Sequence, residues 1–179
     1  MTPGIRKLAL TLHVSTSVSW LGGVASFLAL ALVGLEGASA EASRAAYVGM
    51  DLLTRDILLP LSMASLLTGL VQSLGTPWGL FRHHWVVAKL FLTVACTLLL
   101  WVHLGPIRAI GLRALAAPFS ATDSVGLRKD LVVKAAEALL ALLLTTGLAV
   151  YKPQGLTRFG RSRRERGAVG DLRSSAHLG

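Results

Sequence analysis

Four long apolar runs restrict the fold of this chain more than any other feature. They cover about residues 8–33, 52–74, 85–104 and 131–150. Each is close to the length of about 20 residues at which an α-helix crosses about 30 Å of hydrocarbon. None shows the alternation of apolar and polar residues that is typical of a β-strand. We therefore predict an all-α fold, a four-helix transmembrane bundle in one domain, residues 1–152, followed by a basic, disordered tail, residues 153–179.

The composition indicates lipid rather than water as the main solvent. Of the 179 residues, 53% are hydrophobic and 15% are charged, and the mean hydropathy is +0.63. A soluble domain has about 25% charged residues. The net charge of +9 arises mainly from residues at the ends of the runs and in the tail. We therefore expect the partners to be the lipid bilayer, anionic headgroups at the basic tail and other copies of this chain, but no nucleic acid.

Lys and Arg are distributed unequally between the two sides of the predicted bundle. The N-terminus, the second connection and the tail carry the larger share. The other side carries fewer, namely Arg44, Arg55, Arg108, Arg113, Arg128, Lys129 and Lys134. By the positive-inside rule we predict a multi-pass protein of the plasma (cytoplasmic) membrane with both termini in the cytoplasm. The third connection, residues 105–128, could also hold an amphipathic helix on the membrane surface around residues 107–117.

Small residues recur at every fourth position in the first two runs. They form two series, Ser15, Ser19 and Gly23 in the first run and Ser65, Gly69 and Ser73 in the second. Small side chains at this spacing let two helix backbones approach closely, and hydroxyls can bond across the contact. The series therefore predict close packing of these helices. A narrow polar path through the bundle is the alternative.

Three polar side chains interrupt the apolar runs near the predicted cytoplasmic side. His13 lies about 8 Å inside the first span, with Gln72 and Lys89 at similar depths in the second and third spans. Ionisable groups at membrane depth tend to face the interior of a bundle. His13, Gln72 and Lys89 therefore form a candidate polar pocket. The alternative is that Lys89 extends to the headgroups and His13 donates one hydrogen bond to a neighbouring carbonyl.

The histidines also suggest a haem or copper site, because imidazole is a common ligand of both. His84 and His103 are about 28 Å apart on one helix and cannot share an ion. His13 with His83 or His84 is the candidate ligand set, since all three are predicted on the cytoplasmic side. Interfacial histidines without a ligand are the alternative, so the cofactor stays unknown, with haem or copper as candidates.

Charged residues gather near the predicted outer side, namely Asp51, Arg55, Asp56, Lys134 and Glu137. Asp51 and Arg55 are four apart and can pair on one helix face. Glu137 lies about six residues inside the fourth span, where a charge needs a partner, and Arg55 and Lys134 are the candidates. The cluster is either an ion or proton vestibule or a salt-bridge clasp between the second and fourth spans.

Three stretches resemble a known family, namely RKLALTLHVSTSVSWLGGVASFLALALVGL, SLLTGLVQSLGTPWGLFRHHWVVAKL and YKPQGLTRFGR. Over most of residues 5–160 they look like a family of small bacterial integral membrane proteins, frequent in actinobacteria, that is described only as a domain of unknown function. The pattern His-x(6)-Trp-Leu-Gly-Gly, from His13 to Gly23, is also similar to the first span of copper-resistance D-type membrane proteins. The resemblance implies a membrane-embedded four-helix protein and supplies no activity. The Met- and His-rich clusters expected for copper carriage are lacking, with only three Met in the chain.

No catalytic motif is present, since the P-loop, GxSxG, HExxH and paired CxxC patterns are all absent. We therefore expect no enzyme activity. The first hypothesis is a non-enzymatic membrane component or transport accessory of unknown biochemical activity. The second is a haem- or copper-handling membrane protein using His13 with His83 or His84. The third is a small proton-coupled permease using Glu137, Asp56 and His13.

Overall fold

The computed structural model describes residues 2–37, 39–75, 83–116 and 125–151. Its helices are α1 (Pro3–Glu36), α2 (Ala40–Leu53), α3 (Leu59–Leu74), α4 (His84–Leu115) and α5 (Val125–Tyr151). A π-helical turn, Thr54–Leu58, joins α2 and α3 into one continuous span. Within the described ranges there is no β-strand, and four helical segments are long and apolar enough to cross a membrane. The predicted all-α four-helix bundle is confirmed, while the predicted tail, 153–179, lies outside the described residues.

The four spans pack as a square bundle in which each span contacts two neighbours. The α2–α3 span packs between α1 and α4, and α5 packs on the other side, also between α1 and α4. Chain-adjacent spans run antiparallel, since Gly34 in α1 meets Tyr47 and Gly23 meets Leu58 further along the chain. The core is apolar and centres on Trp20 and Leu58. Many exposed side chains are large and apolar as well, which suits a lipid environment.

Helix boundaries follow local capping chemistry. Pro3 occupies the first turn of α1, where its missing N–H has no intrahelical acceptor to lose. Gly37 ends α1 with a φ of 65°, a left-handed conformation that glycine adopts without a Cβ clash. Ser39 then accepts a hydrogen bond from the Ala42 N–H at 3.0 Å and so caps α2. The end of α1 and the start of α2 are therefore both capped, and the two helices run antiparallel.

The helices of all four spans extend beyond the predicted apolar runs, and α1 runs from Pro3 to Glu36. α2 begins at Ala40, α5 begins at Val125, and α4 continues through Pro106 to Leu115. Instead of lying on the membrane surface, the segment 107–115 continues α4 and packs against α2, with Ile107 and Ile110 buried. Gly111 permits this contact, because a Cβ there would lie 2.8 Å from the Cβ of Asp51.

The π-helical turn precedes Pro60, where the sequence predicts an irregularity because proline lacks the N–H that a regular helix needs. The Leu59 N–H bonds to the carbonyl of Thr54, five residues earlier, and this widens the turn. Thr54 is buried and donates its hydroxyl to the Met50 carbonyl at 2.7 Å. The turn leaves Leu58 in the core, where its Cδ2 would lie 2.7 Å from a Cβ on Gly23.

Candidate functional site

A ladder of hydroxyls joins α1 to α3 in the half of the bundle that contains the chain's N-terminus. The Ser17 and Ser65 hydroxyls are 2.8 Å apart, and the Thr16 hydroxyl lies 3.5 Å from that of Thr68. His13 continues the ladder, with its Nδ1 3.1 Å from the Thr68 hydroxyl. These contacts support the packing interpretation of the small residues.

The face of α1 that packs differs from the predicted series. Ser15 and Ser19 are exposed, whereas Ser17 and Thr16 make the contacts to α3. Gly23 is buried, as the prediction of close packing requires. The difference arises because residues 13, 17, 20 and 24 share the inward face of a helix with 3.6 residues per turn. Residues spaced four apart are rotated by about 40° from one another around the helix. Gly23 therefore faces the core, whereas Ser15 and Ser19 face outward.

The candidate polar pocket is only partly assembled. His13 lies over Gly69, at 3.0 Å from the position of an added Cβ, and Lys89 is close enough for its charge to interact with the imidazole. The Lys89 amine also lies 5.9 Å from the centre of the Trp85 ring. The buried Oε1 of Gln72 has no hydrogen-bond partner among the described residues, so it bonds to neither His13 nor Lys89. His13 therefore acts here as part of the α1–α3 packing contact.

The described histidines do not converge on a ligand set. His83 lies beside Trp85 just before α4, and His84 is exposed at the first residue of that helix. No hydrogen bond or ion pair in the described ranges joins either residue to His13. Among those ranges, no three His, Cys, Asp or Glu side chains are grouped as metal ligands. The haem or copper hypothesis accordingly stays a prediction without a geometric site.

The predicted outer charge cluster divides into pairs within single helices. The Arg55 Nε is 3.3 Å from Asp51, and the Lys134 Nζ is 2.9 Å from Glu137. Asp56 is exposed. Of the two partners predicted for Glu137, Arg55 and Lys134, the structure shows Lys134. Neither ion pair links the second span to the fourth.

An interhelical polar contact instead joins α4 to α5. His103 Nε2 lies 3.4 Å from Asp130 Oδ2, while His103 Nδ1 lies 2.8 Å from the Leu99 carbonyl. Both ring nitrogens of His103 therefore face oxygen atoms, one on its own helix and one on α5. The clasp expected between the second and fourth spans is found between the third and fourth.

A partly open crevice that encloses about 50 Å³ lies between α1, α4 and α5, next to the π-helical turn. Its walls are mainly apolar and include Trp20, Phe27, Leu58, Cys96, Leu131 and Ala138. His103 and Lys134 also line it, and each is paired with a carboxylate. This volume is smaller than the range of about 300–1,000 Å³ that is typical of small-molecule sites, so the crevice would enclose only part of such a molecule. We refer to this feature as the crevice.

Trp20, which lines the crevice, carries a buried donor without a partner in the described part of the chain. Trp20 is 2% exposed, and its indole N–H makes no hydrogen bond to any described residue. A buried indole N–H normally has an acceptor, because leaving it unpaired costs about 1–3 kcal/mol. The arrangement can therefore hold an apolar molecule that brings its own acceptor oxygen. We take the crevice as the candidate functional site.

The fold defines the class, a multi-pass membrane protein built as an all-α four-helix bundle. Comparison with protein-family models, with curated proteins and with solved structures finds no match.

The crevice was missed by sequence reasoning, in which Trp20 entered only as part of the pattern His-x(6)-Trp-Leu-Gly-Gly. A weak signal exists, since Trp20 lies in the middle of an apolar run rather than at an interface where tryptophan is common. The His103–Asp130 contact carries no such signal, because the two residues lie in different helices and no spacing rule connects them.

Proposed function

We propose that this chain is a non-enzymatic membrane component that binds a neutral, lipid-soluble molecule in the crevice. The observation that carries the proposal is the buried indole N–H of Trp20, which has no hydrogen-bond partner among the described residues and belongs to a residue that lines a mainly apolar crevice. The predicted resemblance to small bacterial integral membrane proteins is compatible with such a role and supplies no ligand.

The lining restricts the chemistry of the ligand. The two basic side chains on the crevice, His103 and Lys134, already lie against the carboxylates of Asp130 and Glu137. A charged ligand would have to break one of these pairs or be buried without a counter-ion, and both are costly. A neutral molecule with an apolar body and a carbonyl oxygen satisfies the Trp20 N–H at no such cost. Lipid-soluble quinones belong to this chemical class.

Binding should depend on the carbonyl oxygen and on Trp20. We expect a fully substituted decyl benzoquinone to bind about tenfold more tightly than decylbenzene, which has the same tail but no acceptor. Trp20→Phe removes the N–H and keeps an aromatic ring, so it should abolish the preference while decylbenzene still binds. Native mass spectrometry of the protein in nanodiscs, titrated with each probe, measures both affinities.

Two further variants localise the probe. Ala138→Phe should fill the crevice and prevent binding, whereas Ala109→Phe, at an exposed position of α4, should leave binding unchanged. Cys96 is the one cysteine of the chain and lines the crevice, so the quinone should also slow its alkylation by N-ethylmaleimide. Equal affinity for the two probes, or binding that survives Ala138→Phe, would contradict the proposal.

We also propose the plasma membrane as the location, with both termini in the cytoplasm. The support is the larger share of Lys and Arg at the N-terminus, in the second connection and in the tail. A fluorescent protein fused after Lys152 should emit, and alkaline phosphatase at the same position should be inactive. Active phosphatase there would reverse the orientation.

A further inference from the structure

Glu137 is anomalous for a residue of a membrane-spanning helix. It lies about 10 Å along α5 from Asp130 and about 21 Å from Tyr151, well inside the span. Its side chain is nevertheless 54% exposed on the outside of the bundle. Charged groups at membrane depth almost always face a bundle interior or a water-filled cavity, because hydrocarbon does not solvate them. The isolated bundle therefore leaves a carboxylate where only lipid would cover it.

The residues around Glu137 form a regular seam on α5. Val133, Glu137, Leu140 and Leu144 follow one another at intervals of four, three and four residues, and all four are exposed. This is the spacing with which two helices pack in a left-handed pair.

The seam lies on the opposite side of α5 from the core. At 100° per residue, the buried side chains Leu131, Ala135 and Leu142 point to the other side of the helix. The seam thus faces away from every span of its own bundle.

We propose that this seam is the interface of a homodimer in which α5 of one copy packs against α5 of the other. Two copies inserted with the same topology are related by a two-fold axis along the membrane normal, so the two α5 helices run parallel. The Lys134–Glu137 pairs of both copies then lie at one depth. Each ammonium falls between its own carboxylate and that of the partner, which gives a closed ring of four alternating charges.

Charge complementarity favours a second copy over other occupants of this seam. Lys134 Nζ donates to Glu137 Oε2 at 2.9 Å, and within the described part of the chain Oε1 accepts no hydrogen bond. An ammonium has three N–H groups, so the same pair offers both a donor and an acceptor to an identical pair. A two-fold interface requires such a self-complementary surface.

Substitutions that reverse the charge of Lys134 or Glu137 test whether these residues pair between the two copies. Lys134→Glu leaves two acidic groups on the seam and Glu137→Lys leaves two basic groups, so each variant alone should dimerise about 100-fold more weakly than the wild type. Mixed together, the two variants should form a heterodimer with near wild-type affinity. The double variant Lys134→Glu/Glu137→Lys should dimerise with itself again. Single-molecule photobleaching in bilayers, with two fluorophores on the two variants, measures each population.

The heterodimer controls for misfolding, since a chain that has lost its fold cannot recover affinity on mixing. Lys129→Glu is the matched control, because it makes the same charge change on an exposed residue of α5 outside the seam, and it should not alter dimerisation. A wild type that is monomeric at every protein-to-lipid ratio would overturn the proposal. So would single variants that dimerise normally, a mixture that stays monomeric, or a monomer that retains an anionic lipid on Lys134.

Discussion

Replacing Gly34 with leucine is expected to lower the free energy of unfolding by about 3 kcal/mol, at the upper end of what overpacking a core costs. A Cβ at this position would lie 2.6 Å from Tyr47 Cζ and 2.8 Å from its hydroxyl oxygen. The Tyr47 ring is 1% exposed and rigid, so it cannot move aside without disturbing α2. Unfolding of the purified protein in mixed micelles, by titration with dodecyl sulfate, measures the loss.

Gly22→Leu is the matched control, because it makes the same change in the same helix where no atom lies within 4 Å of the added Cβ. It should leave stability unchanged or raise it slightly, since leucine has a higher helix propensity than glycine. The double variant Gly34→Leu/Tyr47→Ala should recover part of the loss, because removing the ring makes room for the new side chain. Similar losses for Gly34→Leu and Gly22→Leu would mean that Tyr47 does not pack against α1 as described.

The transmembrane core of the fold could be predicted because hydrophobicity is a local property of the sequence. Each of the four apolar runs is long enough to span a bilayer by itself, and the structure forms a helix over each. The extensions of α2, α4 and α5 could not be predicted in this way. Their sequences mix alanine, glycine and arginine with apolar residues, so hydropathy falls before the helix ends. Packing between helices, as at Gly111 and Asp51, holds these segments in the bundle.

The candidate site was less predictable because it depends on which helices are neighbours. Trp20, His103 and Lys134 are far apart in the sequence, and they meet only because α1 and α4 both contact α5. Helix periodicity predicts which residues share a face of one helix, but it does not predict which face meets which partner. The same limit explains why Asp130 contacts His103, whereas the sequence placed a clasp between the second and fourth spans.

Arg128 and Lys129 illustrate this limit in two adjacent residues. In the sequence both are cations at the end of the third connection, and both count equally toward membrane orientation. In the structure Lys129 is exposed, but Arg128 is 4% exposed and its guanidinium carbon lies 5.0 Å from the centre of the Tyr47 ring. The difference comes from a rotation of 100° between consecutive residues of a helix. One cation is thereby turned toward α2 and the other toward the surroundings.

Arg128→Ala is therefore expected to destabilise the bundle by about 3 kcal/mol, through the lost contact of the cation with the ring and the cavity that the long side chain leaves. Lys129→Ala should change stability by less than about 0.5 kcal/mol, as surface substitutions do. Arg128→Met keeps most of the side-chain volume, so its loss should be smaller than that of Arg128→Ala if packing dominates and similar if the charge dominates. The same micelle titration measures all three variants. Equal stability of Arg128→Ala and Lys129→Ala would show that the contact of Arg128 with the Tyr47 ring does not stabilise the bundle.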